Sequence, residues 1–383
     1  MHWTNRLAAA GLVLLLPVIA LHAQVPAAPA LGATSYVLMD FHSGHVVAAE
    51  APDARVEPAS ITKLMTSYVV FRELRAGRLA LEDTVRISEK AWRTGGSRMF
   101  VEVDTEVTIE DLLKGVIVQS GNDASVALAE HVAGSEEVFA QMMNAEAERL
   151  GLDNTNYVNA TGLPHPDHYT TALDVARLAR ALIDDFPDHY DWYSQLEFTY
   201  NDITQHNRNL LLRRDPTVDG LKTGHTEAAG YCLATSAVRD GMRLISVVMG
   251  TDSESARASA SQALLNYGFR FFETFRLYAG GDVLSTALVW KGRIDEMRLG
   301  IDDDVYVTVP RGEQDRLAAE IALPEPAVAP FKQGQRFGTL EVRFGNELRV
   351  ERPLKVLDEV PEAGWWGRTT DGIGLWFDGL FGG

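Results

Sequence analysis

Three short sequences, in order along the chain, carry residue types suited to acyl chemistry. Ser60-Ile61-Thr62-Lys63 follows Pro58-Ala59 at the predicted start of a helix. Ser120-Gly121-Asn122 falls between two predicted helices, and Lys222-Thr223-Gly224 lies on a predicted strand. A serine at a helix N-terminus projects into a cleft, and its backbone N–H is an unpaired donor aimed at the same place. A lysine three residues on shares that helix face, so the Lys63 amine can reach Ser60 Oγ. Desolvated and beside other cations, such a lysine has a depressed pKa and can act as general base. The Ser120 hydroxyl can relay a proton, the Asn122 amide can hold a substrate amide, and Lys222 sets a fixed positive charge opposite Lys63. The strand edge Thr223–Thr226 offers backbone donors, and the N–H groups of Ser60 and His225 together are the expected oxyanion hole. One such triplet alone arises by chance about once in a chain of this length; three in order on a helix start, a loop and a strand do not.

The surrounding pattern supplies elements to position them. A strand pair is predicted at Ser35–Asp40 and His45–Ala49, joined by a Ser43-Gly44 turn. Helices follow over Ile61–Arg75, Ile109–Val118, Ala124–Val132, Glu136–Leu150 and Ala172–Asp185, with Thr108/Asp111 and Thr171/Asp174 as capping pairs. Strands return at Leu221–Thr226, Tyr231–Val238 and Arg243–Met249, with Asp240-Gly241 as the turn between the last two. A helix over Glu254–Glu273 closes this part. Strands at both ends and helices between predict an α+β domain, one antiparallel sheet packed against helices, over residues 30–275. From 278 to 358 the period becomes two, with strands at Leu284–Trp290, Glu296–Ile301, Asp304–Val309, Leu317–Leu323, Phe337–Phe344 and Leu348–Leu354, which reads as a small all-β domain. Residues 1–23 read as a signal peptide: Arg6, then a 14-residue apolar stretch Ala8–Leu21 broken by Gly11 and Pro17, then small residues. An uncleaved anchor is the competing reading. In the tail, 363–383, Trp365, Trp366, Ile373, Trp376, Phe377, Leu380 and Phe381 fall on one helical arc of about 160°. Asp371 and Asp378 lie opposite, so this tail is expected to fold at a membrane surface.

The stretches Glu57–Met65 (EPASITKLM), Gln119–Ser125 (QSGNDAS), Gly220–Thr226 (GLKTGHT) and Leu264–Arg270 (LLNYGFR) resemble those of the low-molecular-mass penicillin-binding proteins. These are D-alanyl-D-alanine carboxypeptidases of serine peptidase family S11, and the likeness runs from about Ser35 to the C-terminus. The resemblance implies a β-lactamase/transpeptidase-like catalytic domain followed by the all-β domain and a C-terminal amphipathic helix. It implies Ser60 as acyl-ester nucleophile, Lys63 as proton acceptor and Ser120 as second active-site serine. Asn122, Lys222, Thr223, Gly224, His225 and Thr226 become substrate contacts, and Arg257 helps hold the terminal carboxylate. Thr94–Phe100 (TGGSRMF) resembles the loop bordering that site, its glycines suiting a mobile rim. The substrate implied is the peptidoglycan pentapeptide stem, with β-lactams as covalent inhibitors and a role in cell-wall biogenesis and cell shape. No metal and no organic cofactor is implied. The implied place is the periplasm, on the inner-membrane surface, with a second copy of the chain left open as a partner.

Composition narrows the alternatives. The 383 residues hold 35 Lys+Arg against 53 Asp+Glu, a net charge of −18, and no basic run, which argues against nucleic acid. The single cysteine, Cys232, excludes an internal disulfide framework and reads as a small core residue. A class A β-lactamase needs a Glu to activate the deacylating water, and none occurs between Glu148 and Glu197. A cross-linking transpeptidase shares the acylation step and stays open. An S11 endopeptidase usually lacks the β domain and tail, and a silent scaffold is disfavoured by the intact motifs. His165-Pro166-Asp167-His168 looks ligand-like but lacks a third partner for a metal.

Overall fold

The computed structural model describes residues 25–364. The signal peptide over 1–23, and the amphipathic tail from Trp365 onward, lie outside the described residues.

Five strands form one fully antiparallel sheet in the order Val46–Glu50, Ser35–Asp40, Met242–Thr251, Gly230–Arg239, Val218–Thr226. The pleat sends alternate side chains to opposite faces. Tyr36, Leu38, Leu244 and Val248 pack with Leu264 and Leu265 of the helix Glu254–Phe271. Val37, Met39, Ile245 and Val247 face the other way, into a larger core with the helices Lys63–Arg75, Asn122–Ala133 and Ala172–Asp185. Helices therefore cover both faces, and the apolar residues on each strand are explained by two cores rather than one.

The helix Lys63–Arg75 is buried on every side from Lys63 to Phe71. Its first nine residues, polar Thr66 and Ser67 included, lie in the interior, and this draws the Lys63 amine inside with them. The capping pairs form as the sequence predicts: Thr108 Oγ1 accepts the Asp111 N–H and Thr171 Oγ1 the Asp174 N–H, both at 3.1 Å. Asp240 and Gly241 take φ of 51° and 80°, the left-handed pair of a type I′ hairpin.

Three elements differ from expectation. The helix predicted to begin at Ile61 starts with a tighter 3-10 turn, Ala59–Thr62, before the α-helix proper. The helix predicted over Ile109–Val118 ends at Lys114 and widens into a π-turn, Gly115–Gln119, leaving Ser120 left-handed at φ 63°. The helix predicted to reach Glu273 stops at Phe271, because Phe272–Tyr278 is taken up as a strand against Val305–Pro310. That pairing carries the chain across the expected division near residues 275–278 without a linker.

The C-terminal part holds that strand pair and a six-stranded sheet in the order Leu317–Ala322, Arg336–Phe344, Glu347–Val356, Glu296–Gly300, Val283–Trp290, Ala327–Val328. Phe272 packs into the apolar core beneath the helix Glu254–Phe271, and a polar cluster joins the two parts beside it. Buried Asp40 accepts from the Ser43 N–H and hydroxyl at 2.7 and 2.8 Å, and its other oxygen accepts from Thr274 Oγ1 at 2.8 Å. Thr308 bonds both Thr274 and Ser43, at 2.7 and 2.6 Å, and the His42 ring stacks on Tyr306. Among the described residues no helix is long and apolar enough to cross a membrane.

Candidate active site

A cleft of about 460 Å³ opens between the turn carrying Ser60, the loop carrying Ser120 and the edge strand Val218–Thr226. Eight of the ten residues singled out in the sequence line it: Ser60, Ser120, Asn122, Thr223, Gly224, His225, Thr226 and Arg257. The other two, Lys63 and Lys222, are buried directly behind its wall.

Backbone shape brings Ser60 forward. Ala59 sits at φ 47°, a conformation that a residue with a Cβ holds only when its surroundings impose it. The edge strand presses against this turn at Gly224, where a Cβ would come within 3.0 Å of the Pro58 carbonyl oxygen. Gly224 therefore has a packing reason besides its place in the cleft.

Lys63 Nζ has three acceptors: Ser60 Oγ at 3.1 Å, Asn122 Oδ1 at 2.7 Å and the Thr161 carbonyl at 2.5 Å. Burial drives its pKa down to about 7, Arg208 adds repulsion, and Asp123 opposes both. A neutral amine has two N–H groups and one lone pair. Asn122 Oδ1 and the Thr161 carbonyl can only accept, so both N–H groups point to them and the lone pair is left facing the Ser60 hydroxyl. Lys222 Nζ donates to the Thr223 carbonyl at 3.0 Å. Burial first, then Lys63, Arg208 and Arg257, hold its pKa well below the usual lysine range.

Ser120 Oγ is buried, lines the cleft, and has no hydrogen-bond partner among the described residues. Asn122 is committed more heavily than the sequence suggested: its oxygen holds Lys63 and its amide donates to the Gly95 carbonyl at 2.7 Å. One amide hydrogen remains for a substrate. The Thr226 hydroxyl is also engaged, with Glu57 and with the Ala229 N–H. Arg257 donates from Nη1 to the Gly224 carbonyl at 3.1 Å, while its buried Nη2 makes no hydrogen bond among the described residues, with the Glu254 carboxylate 3.7 Å away. His225 is exposed and stacks on Tyr231, ring centroids 4.0 Å apart.

Two residues of the site lie outside the three short motifs and were not singled out, although Asp123 falls within the Gln119–Ser125 stretch. Arg208 lines the cleft and repels both lysines. Its placement comes from buried Asn207 and Asn209, whose side chains bond the Gln195 and Gly220 carbonyls at 3.0 Å. The Asn-Arg-Asn spacing is the signal that was available. Asp123 takes four backbone N–H groups, those of Met99, Phe100, Val101 and Ala124, at 2.8 to 3.3 Å. With the Asn122 N–H on the Ser97 carbonyl at 2.8 Å, the Asn122 amide on the Gly95 carbonyl and Gln205 on the Arg98 carbonyl at 3.0 Å, it pins the rim from 95 to 101, so the glycines expected to make this rim mobile are tied down by Asn122. The two histidines of the ligand-like tetrad part company: His165 is exposed, and His168 is buried against Thr62. No group of three or more His, Cys, Asp or Glu side chains able to hold a metal occurs among the described residues. Cys232 is buried, and burial pushes its thiol up to about 11, as suits a core residue.

Comparison with known proteins agrees with this geometry. The D-alanyl-D-alanine carboxypeptidase profile of peptidase family S11 matches residues 22–253, and the C-terminal domain profile of penicillin-binding protein 5 matches 272–362. The D-alanyl-D-alanine carboxypeptidase DacC of Escherichia coli is 43% identical over 367 residues, covering 94% of this chain and 92% of its own. Penicillin binding protein 5 from Haemophilus influenzae superposes with a TM-score of 0.84 at 41% identity, over 87% of this chain and 99% of that one. The ampicillin-bound penicillin-binding protein D2 of Listeria monocytogenes aligns over 62% of this chain and 98% of its own, with a TM-score of 0.58 at 27% identity. On this evidence the chain belongs to the D-alanyl-D-alanine carboxypeptidases of serine peptidase family S11.

Proposed function

We propose that the chain removes the terminal D-alanine from the peptidoglycan pentapeptide through an acyl ester on Ser60. The observation that carries this reading is the buried Lys63 amine, held by two fixed acceptors so that its lone pair faces Ser60 Oγ. Lys63 takes the Ser60 proton as the oxygen attacks the D-Ala-D-Ala carbonyl. The N–H groups of Ser60 and His225 hold the oxyanion, the guanidiniums of Arg257 and Arg208 attract the terminal carboxylate, and Lys222 stands behind them as a substrate contact. The unpartnered Ser120 hydroxyl passes a proton to the leaving amine and is resupplied from its lysine neighbours, which return the proton taken from Ser60, and water then frees the shortened stem. Thr223, Gly224 and Thr226 line the strand along which the peptide lies, and Asn122 offers its remaining amide hydrogen.

A β-lactam presents a strained amide at the same place and acylates Ser60. In the cell the chain acts in cell-wall biogenesis and shape, exported by residues 1–23 and held at the inner-membrane surface by 363–383. The catalytic unit is 30–275 and the β domain 278–358. The test follows D-alanine release from a peptide ending in D-Ala-D-Ala, with a fluorescent penicillin as covalent label, for wild type and Ser60→Ala. Release and labelling that both vanish in the variant are expected. Labelling without release points to transpeptidation or a binding scaffold, and an unlabelled wild type removes the acyl-enzyme reading.

A further inference from the structure

One buried imidazole ties together the two segments that meet at Lys63. Thr161, whose carbonyl accepts from Lys63 Nζ, belongs to the segment 158–168. That segment lies hard against the turn carrying Ser60: Gly162 takes φ 82°, and a Cβ there would run into the Ala59 carbonyl oxygen. His168 closes the segment. Its Nδ1 accepts the Val158 N–H at 3.1 Å, and an amide N–H can only donate, so Nδ1 bears the lone pair and Nε2 bears the proton. Nε2–H therefore donates to Thr62 Oγ1 at 2.8 Å, on the residue next to Lys63. The ring is 2% exposed and meets Tyr157 edge-on. Burial, then His165 and Lys63, hold it neutral down to about pH 4. It does not line the cleft.

We infer that His168 is a positioning residue: by joining the Val158 N–H to Thr62 Oγ1 it locks the segment 158–168 onto the nucleophile turn and keeps the Thr161 carbonyl on Lys63 Nζ. This rests on the reading of Lys63 as proton acceptor. The lone pair faces Ser60 only while both fixed acceptors are in place. With the Thr161 carbonyl loosened, the amine has one acceptor left and can turn away from the serine. The requirement at position 168 is one acceptor and one donor on a single side chain, which glutamine also supplies and leucine does not.

The experiment measures the saturating rate of Ser60 acylation by a fluorescent penicillin in the full chain. It compares wild type, His168→Leu, His168→Gln, Thr62→Val and the Thr62→Val/His168→Leu pair, with thermal unfolding of each. His168→Leu is expected to slow acylation on the order of tenfold or more, as small displacements of catalytic groups do. His168→Gln restores most of the rate, and the double variant is no slower than the worse single one, as for two halves of one bond. The inference is overturned if His168→Leu acylates at the wild-type rate, if leucine and glutamine are equally slow, or if the two losses add. Should His168→Leu not fold, Thr62→Val decides alone, and a wild-type rate there overturns it. Labelling of wild type but not Ser60→Ala keeps the acyl-enzyme reading standing whatever the His168 variants do.

Discussion

Acylation should titrate with Lys63. With its pKa near 7, roughly one tenth of the amine is neutral at pH 6 and roughly nine tenths at pH 8, so the acylation rate rises about tenfold across that interval. An ordinary lysine near 10.4 would be under about 1% neutral at pH 8 and would still be gaining steeply there. The second cause of the depression, after burial, is Arg208, an exposed guanidinium at the cleft. Arg208→Gln removes that repulsion and leaves the burial, so the midpoint moves to higher pH by less than about one pH unit. Because the repulsion crosses solvent, salt near 1 M should move the wild-type midpoint the same way and leave the variant's almost where it was. The assay is stopped-flow acylation by a fluorescent penicillin at saturating concentration, from pH 5.5 to 9. A wild-type rate flat from pH 6 to 8 would refute the argument that this amine is a desolvated base, and a midpoint indifferent to Arg208→Gln would refute the part assigned to Arg208. The same shift has a stability signature. The unfolded chain keeps the proton that folded Lys63 has lost between about pH 7 and about pH 10.4, so unfolding takes up a proton and stability rises with pH across that window.

Gly162→Ala puts a Cβ against the Ala59 carbonyl at a left-handed φ, which costs about 1–2 kcal/mol in backbone strain alone. A lowered Tm and a slowed acylation are expected, and neither changing would show that loop and turn are not in contact. Asp123→Asn turns an N–H pair toward donors that now face a carboxylate, costing about 2 kcal/mol or more. Amide hydrogen exchange at Met99 and Phe100 should accelerate before exchange in the helix Lys63–Arg75 does, and equal protection in variant and wild type would count against the anchoring. Arg257→Gln should raise KM about tenfold for a peptide ending in a free carboxylate and leave its C-terminal amide nearly unaffected. An unchanged preference between the two peptides would remove Arg257 from carboxylate binding.

What the sequence carried on its own was local. The three-residue step from Ser60 to Lys63 is a property of one helical turn, and the Thr108/Asp111 and Thr171/Asp174 caps each close within four residues, so these could be read directly. Asp240-Gly241 needs only its own backbone to make a hairpin. The features missed depend on partners far along the chain. The Thr161 carbonyl reaches Lys63 from 98 residues away, and nothing in its own side chain marks it. Phe272–Tyr278 leaves the helical pattern because Val305–Pro310 pairs with it. Arg208 sits in a polar loop whose direction is set by two buried asparagines, and its charge matters only once the lysines are placed. The extended reach of Asp123 to four amides follows from a rim that folds back over the helix Asn122–Ala133, a path that periodicity does not encode.

The Asp40 junction bears on how such a chain is built from interchangeable modules. One Asp40 oxygen is satisfied within its own part by Ser43, but the other takes the Thr274 hydroxyl, from the strand that opens the β domain. Cutting the chain after the helix Glu254–Phe271 would strip that oxygen of its partner and expose the Ser43 hydroxyl that now meets Thr308. In a chain without the β domain that oxygen would face water, where a carboxylate needs no protein donor. A chain that acquired such a domain by fusion would need a threonine or serine at both abutting strands before the carboxylate became tolerable in the seam. The residue at position 40 thus couples the catalytic sheet to the presence of the β domain, since its charge is either paired across the seam or left to water.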